Sequence, residues 1–294
     1  MRCEGEEAGY QCFLTGLEFL KRVAFGENPL SGDKLLVVGG GNVAMDCVRT
    51  GLRLGFSQAH LLYRRTRLEM PADAKEFTEA EEEGVQFHYL VQPMRILADQ
   101  GKVTGLKCIR MELGEPDSSG RRSPRPIEGS EFTIECDAII PAIGQTCVVD
   151  CIFPEDGSVE LTPWKSLVVD ETTFQSSQER IFGGGDCILG PDILIRALAH
   201  GKQAARHIAQ YLEEKTCRAD PDERIGRYMA RLKIFDPEEK PPYAGSSRRA
   251  EPPVLGARER VKSFAEVEAS FSLSQALYES SRCLRCYRIG LAAL

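Results

Sequence analysis

No stretch of this 294-residue sequence approaches the ~18 consecutive apolar residues that a membrane-crossing helix needs. Positive charge is not in excess either: 37 Lys and Arg stand against 44 Asp and Glu, a net charge of −7. That balance argues against a nucleic-acid groove, whose footprint is a basic surface. The start, Met1-Arg2-Cys3-Glu4-Gly5-Glu6-Glu7, is acidic and lacks the apolar core expected of a signal peptide. Of eleven cysteines only Cys283 and Cys286 form a C-x-x-C. The others, at 3, 12, 47, 108, 136, 147, 151, 187 and 217, are isolated. Without an export signal they are expected to be reduced thiols behaving as small hydrophobes in a cytoplasmic protein.

The length suits two domains and a tail, and 42% hydrophobic with 28% charged residues is ordinary globular composition. Residues 10–25 read as a helix, with Phe13, Leu17, Leu20 and Ala24 on one face. Residues 35–140 then alternate strand and helix, the pattern of a parallel sheet with crossover helices. Leu35–Val38 is a strand, Asn42–Leu54 a helix, His60–Tyr63 a strand, Pro71–Glu83 a helix and Val85–Leu90 a strand. The helix bearing Glu76, Glu79, Glu81, Glu82 and Glu83 reads as a solvated acidic face. Residues 103–112 and 131–136 read as an antiparallel pair, and the Gly114–Ser130 loop with its basic cluster 121–125 reads as a surface tip. A second unit begins near 142, with strands 166–169 and 180–182 and helix 192–212. Six of the sixteen prolines fall between Pro221 and Pro253, so residues 213–270 read as an extended, wrapping tail before a last helix at about 272–284.

Gly39-Gly40-Gly41-Asn42-Val43-Ala44 is a G-x-G-x-x-A set between a strand and a helix. There Gly39 permits the tight turn, Gly41 lets backbone approach a pyrophosphate, and Ala44 keeps the helix close to the strand. The diphosphate then meets free N–H groups at the positive end of the helix. At the end of the second strand an NAD site normally places Asp or Glu for the ribose 2′-hydroxyl. This chain has Tyr63-Arg64-Arg65-Thr66-Arg67 instead. Two guanidinium groups, Arg64 and Arg65, suit a 2′-phosphate, so NADPH is the expected nucleotide.

Residues 181–205 run from a strand into Gly185-Asp186, with a helix after Gly190-Pro191. An Asp at a strand end can accept hydrogen bonds from a cofactor's hydroxyls, and the helix N-terminus can stabilise negative charge such as that of a reduced flavin. Taken alone, Gly-Asp is also a common structural turn. His200 lies beside this segment and reads as a helix-surface histidine.

Several stretches together resemble the glutamate synthase small (beta) subunit family of NADPH:FAD oxidoreductases, within the pyridine nucleotide-disulfide oxidoreductase superfamily. They are GGGNVAMDCVRTGLRLG (39–55), YRRTRLEMPA (63–72), EAEEEGVQF (79–87), AIIPAIGQ (138–145), IFGGGDCILGP (181–191), ALAHGKQAA (197–205), ERVKSFAEVE (259–268) and SRCLRC (281–286). The resemblance implies an α/β fold in which a three-layer Rossmann-like NAD(P)-binding domain is inserted in a partial FAD-binding domain. Its domains would be an FAD-domain remnant at 1–31, the NADPH domain at 32–141, the C-terminal half of the FAD domain at 142–212, and the tail at 213–294. It also implies that Gly144, in the loop Ala142–Gln145, marks the return to the FAD domain. Gly185, Asp186, Pro191, Asp192 and Ile193 would contribute to the flavin site. Relatives carry a further strand–G-x-G-x-x-G–helix unit upstream, whereas the only dinucleotide fingerprint here starts at Gly39. The rest of an FAD site is therefore expected from a separate polypeptide or from a longer form of this chain.

Cys283 and Cys286 fit two ligands of a [4Fe–4S] cluster, a redox dithiol, half a zinc site, or uncommitted thiols. The leading expectation is an electron-input module that passes hydride from NADPH to FAD and electrons onward to a cluster or partner subunit, with no acid–base residue assigned. A thiol–disulfide reductase using the C-terminal dithiol is one alternative. A non-catalytic nucleotide-binding or assembly subunit is the other. Residues 32–141 contain no C-x-x-C, which excludes the low-molecular-weight thioredoxin reductase arrangement.

Overall fold

Strand β1 (Lys34–Val38) carries the logic of the first half in five residues, because its side chains alternate between two cores. Leu35 and Val37 enter one core, while Leu36 and Val38 enter the other. The computed structural model describes residues 1, 3–116, 122–144, 147–148, 159–218 and 248–281. They divide into one unit of Met1–Ile143 with Arg249–Ala276 and another of Gly144–Arg248 with Leu277–Leu294.

In the first unit β1 is an inner strand of a parallel sheet ordered β3-β2-β1-β8, with β2 at Gln58–Tyr63, β3 at Gln86–Tyr89 and β8 at Ala138–Pro141. Strands buried on both faces read as continuous apolar runs, which is how Leu35–Val38 and Ile139–Ile140 appear. Helices α1 (Gly16–Ala24), α2 (Asn42–Arg53) and α3 (Ala74–Glu82) cover one face around Phe19, Met45, Val48 and Phe77. The other face packs on antiparallel strands β4 (Val91–Asp99), β5 (Lys102–Pro116) and β7 (Phe132–Glu135) through Ile96, Val103, Leu106 and Cys136. The architecture is thus α/β in three layers, as the sequence predicts. Each large apolar side chain fully buried in these cores contributes roughly 1.5–3 kcal/mol.

Four local expectations change. The first helix starts at Gly16, and residues 4–13 instead run beside the sheets through single bridges such as Glu4 to Arg95 and Phe13 to Ile139. Strand β4 was hidden in a stretch where Pro93 and Met94 break the alternation, and a register shift at Pro93/Arg95 absorbs the irregularity. The Gly114–Ser130 segment is not merely a surface tip, because Arg122–Pro126 forms β6, antiparallel to the end of β5. In the second unit, 166–169 and 180–182 pair only through single antiparallel bridges among the described residues, Leu161 to Leu167, Val169 to Ser176 and Gln175 to Phe182. Two helices follow, α4 (Asp186–Leu189) and α5 (Leu194–Glu214).

The acidic helix corrects a fifth expectation. Glu83 is buried, and its carboxylate accepts from Arg49 (2.8 Å) and Arg53 (2.9 Å) on α2. Arg49 also reaches Glu79 at 2.8 Å. Arg260, from the 249–276 segment, is only 2% exposed and closes the cluster on Glu82 (2.6 Å) and Glu83 (3.3 Å). Spacing along α3 cannot reveal this, because the partners come from 30 and 178 residues away. That tail segment therefore has a buried anchor and a surface contact of Lys75 with Glu268, and a bridge between Val254 and Glu268 folds the segment on itself. The last helix is described over Leu273–Ser281. No described helix is long and apolar enough to cross a membrane.

The described cysteines behave as expected of thiols, and all eight are free. Burial pushes Cys47, Cys108 and Cys136 up to about 12, which leaves them protonated and inert at neutral pH.

Candidate functional site

The glycine turn between β1 and α2 is built for close approach. Gly39 has φ +154°, and a Cβ on it would lie 2.4 Å from the Ala142 carbonyl oxygen. A Cβ on Gly40 would sit 2.5 Å from the Tyr63 ring, so the ring packs directly on the turn. Gly41 is different. It is the N-cap of α2, in extended backbone, and nothing lies within 4 Å of where its Cβ would stand. The first N–H groups of a helix have no partners within it, and Gly41 offers no side chain to cap these. The result is an open, positively polarised helix end. Ala44 is fully buried against the sheet and Val43 is partly buried beside it, which holds α2 close.

Residues 64–73 are bound to this turn. Ala72 N–H donates to the Gly40 carbonyl (3.1 Å), and Asp73 N–H donates to Asn42 Oδ1 (2.9 Å). Tyr63 Oη donates to the Glu69 carbonyl at 2.8 Å. Thr66 and Glu69 form a capping box around the single turn Arg67–Glu69, with Thr66 N–H on Glu69 Oε2 at 3.1 Å. The Thr66 hydroxyl beside the Glu69 carboxylate holds that carboxyl below the usual range. Arg64 is exposed at the end of β2, while Arg65 is half-buried, with its Nε on the Arg122 carbonyl at 2.9 Å. Arg67 turns the other way, with its guanidinium 4.0 Å over the Phe77 ring and 3.6 Å from Glu81. The three arginines within the four residues 64–67 thus have separate surroundings. Asn42 acts as a loop clamp, a role its place in the glycine motif does not disclose.

In the second unit Gly185 has φ +69° and caps α4. Its N–H donates to His200 Nδ1 at 3.1 Å, and the His200 ring lies 4.9 Å from that of Phe174. His200 is therefore a half-buried support for the Gly185-Asp186 turn and not a free surface histidine. Nothing in the local sequence announces it, although 200 and 197 share the face of α5 that meets Gly184 and Gly185. His200→Phe is expected to lower stability by about 1 kcal/mol, because it leaves a buried N–H unpaired. Urea unfolding of the full chain measures it, and an unchanged midpoint would remove His200 from the turn.

Asp186 is exposed at an open cavity of about 410 Å³ lined by Cys147, Thr162, Trp164, Ser166 and Pro191 as well. Asp192 is held below the ordinary carboxylate range by the Ile193 N–H and Arg196, which it accepts at 2.7 Å each. Ile193 is the N-cap of α5 and brings no capping side chain, and Leu194 and Ile195 at its first turn are exposed. Gly144 has φ +65° with open space around it. The exposed Asp186 carboxylate, the Trp164 ring at the same cavity and the α5 end that no side chain caps are groups that could meet a hydroxyl-bearing cofactor with a negatively charged edge. Cys283 and Cys286 lie outside the described residues. Among the described residues, no group of three or more His, Cys, Asp or Glu could hold a metal ion.

A family profile described as pyridine nucleotide-disulphide oxidoreductase matches residues 1–204. The NADP(+)-dependent formate dehydrogenase subunit beta of Moorella thermoacetica is 43% identical over all of this chain and 41% of its own length. The NADPH-Fe(3+) oxidoreductase subunit beta of Geobacter sulfurreducens is 40% identical over all of this chain and 47% of its own. The glutamate synthase [NADPH] small chain of Escherichia coli is 40% identical over 63% of this chain and 40% of its own length. The chain spans less than half of the curated relatives that it matches over its full length. Among solved structures, T. acidophilum thioredoxin reductase superposes with a TM-score of 0.55 at 17% identity, covering 71% of this chain and 60% of that one. Mycobacterium tuberculosis FprA in complex with NADPH gives 0.55 at 16% identity, covering 78% and 66%. At these identities the superpositions speak for the fold.

Proposed function

The chain belongs to the pyridine nucleotide-disulphide oxidoreductase family, and on that premise we propose that it is the electron-input module of an NADPH-dependent flavin oxidoreductase. The carrying observation is the open, uncapped N-terminus of α2 at Gly41, with the arginine loop hydrogen-bonded onto the same turn. In this reading residues 32–141 form the nucleotide domain. The N–H groups following Gly41 hold the pyrophosphate, Tyr63 floors the turn, and Arg64 and Arg65 take the 2′-phosphate. Residues 142–212 supply part of a flavin site. Asp186 accepts hydroxyl hydrogen bonds there, His200 holds its turn, and the α5 N-terminus faces the charged edge of the ring. FAD, when bound, supplies the hydride acceptor and one-electron release that no side chain offers. The electrons leave toward a partner subunit, in keeping with relatives that are themselves named as subunits. Cys283 and Cys286 are proposed as ligands for a [4Fe–4S] centre on that route.

The test is direct. Arg65→Ala removes one charge-assisted contact and is expected to raise the Kd for NADP+ about ten-fold while leaving NAD+ unchanged. Calorimetric titration of the full chain with each nucleotide reads this. Equal effects on both nucleotides, or none on either, would refute the assignment of the 2′-phosphate.

A further inference from the structure

Helix α5 buries one face and leaves a second apolar face open. On the first, Ala204 and Tyr211 are buried, and Ala197, His200 and His207 are half-buried. The second consists of Leu194, Leu198, Gly201, Ala205, Ile208 and Leu212, all exposed. Single exposed leucines are ordinary on a protein surface, but a continuous row of apolar residues along a helix marks a contact. The spacing alternates between four residues and three, the period of helices that pack side by side as knobs into holes. No charged residue lies on the row.

The row has the same character read from either end. Leu194 corresponds to Leu212, Leu198 to Ile208 and Gly201 to Ala205, so large side chains stand at the ends and small ones at the middle. An antiparallel pair of identical helices about a two-fold axis needs this pattern, because every contact of i with j is matched by one of j with i. Nothing lies within 4 Å of where a Gly201 Cβ would stand, which leaves room for a second backbone to come close. The two ends also complement each other in shape. At Leu212 an open groove of about 630 Å³ is lined by Ile181, Phe182, Ile208 and Tyr211. An antiparallel copy brings to that groove its own Leu194 and Ile195, which are 76% and 65% exposed. The apolar surface left open by the row, Ile195 and the groove is on the order of 600 Å² per copy, which doubled meets the ~1,200 Å² at the lower end of specific interfaces.

We propose that this face of α5 joins two copies of the chain as an antiparallel helix pair centred on Gly201 and Ala205. The inference goes beyond the cofactor reading and does not depend on it.

Sedimentation velocity of the full chain across the micromolar range tests it, with a concentration-dependent dimer as the expected result. Gly201→Leu is expected to keep the fold, read by circular dichroism, because its Cβ meets no atom of its own chain and a poor helix former is replaced. The same change is expected to raise the dimer Kd about ten-fold or more, because it holds the two backbones apart. Leu194→Glu and Leu212→Lys, both at exposed positions, are each expected to weaken the dimer as well. Combined in one chain they are expected to restore it, because position 194 of one copy then meets position 212 of the other. A chain that stays monomeric at the top of the concentration range overturns the proposal, whatever else covers the face. A dimer indifferent to Gly201→Leu is joined elsewhere and overturns it too. A double variant as weak as the single ones excludes the antiparallel register, and the proposal falls with it.

Discussion

Gly41→Val is expected to weaken NADP+ binding about 100-fold while leaving the stability of the fold within about 1 kcal/mol of the parent. The two effects separate because of where Gly41 sits. Its backbone is extended (φ −97°, ψ 179°), a conformation open to β-branched residues, and nothing lies within 4 Å of the added Cβ. The structural cost is confined to a poorer N-cap, a few tenths of a kcal/mol to about 1 kcal/mol. The branched side chain instead fills the space through which a pyrophosphate would reach the first N–H groups of α2. Hydrogen bonds to charged groups are worth about 1.5–3 kcal/mol each. Losing two of them amounts to at least about 3 kcal/mol, or roughly 100-fold in Kd. Calorimetric titration and thermal unfolding of the same preparation give both quantities. An unchanged Kd with an unchanged Tm would make the glycine turn purely structural. Gly39→Ala and Gly40→Ala serve as contrasts, since each drives a Cβ into the Ala142 carbonyl or the Tyr63 ring and is expected to lose stability and binding together.

Glu83→Ala is expected to destabilise the first unit by about 3–5 kcal/mol, the largest loss from any single change considered. Removing one member of a buried ion cluster leaves the others desolvated without compensation, and that penalty exceeds the net worth of the pairs themselves. Arg49, Arg53 and Arg260 all converge on this carboxylate. Exposed pairs such as Lys75 with Glu268 contribute far less, because water screens both charges. The same cluster sets an acid limit. Burial pushes the Glu83 carboxyl up, but the hydrogen bonds and charges of Arg49 and Arg53 outweigh it and hold the group below its ordinary value. A carboxyl depressed in the folded state contributes fully above its unfolded value, about 4.3. That contribution is lost as pH falls through the lower folded value. Urea unfolding is therefore expected to give a flat stability from neutral pH to about 5 and a decline below about 4. The decline should be shallower in Glu83→Ala. A mutant within about 1 kcal/mol of the parent at pH 7 would show that the cluster is not structurally coupled.

Local pattern carried much of the first half. Leu35–Val38, Asn42–Arg53, Gln58–Tyr63 and the turn between the first two follow from apolar runs, helical spacing and glycines, all of which act within a few residues. The ends of elements were less legible, because caps and bridges such as Phe13 to Ile139 depend on chain far away. Strand β6 was missed for a related reason: Ser123-Pro124-Arg125-Pro126 has no strand composition, and only pairing to β5 makes it one.

By itself the sequence determined the α/β class, the parallel order of alternating elements, the place of the glycine turn and the arginines beyond β2. Those properties depend on short-range periodicity and on which residue types tolerate a tight turn. Only the tertiary structure decided which charges are buried and which atoms meet. It placed Glu83 among three arginines, gave Gly185 an acceptor in His200, tied Asn42 to Asp73, and set Arg65 against Arg122. The reason is physical: burial and hydrogen-bond partnership are properties of contacts between distant segments, and no window of sequence contains both members of such a pair.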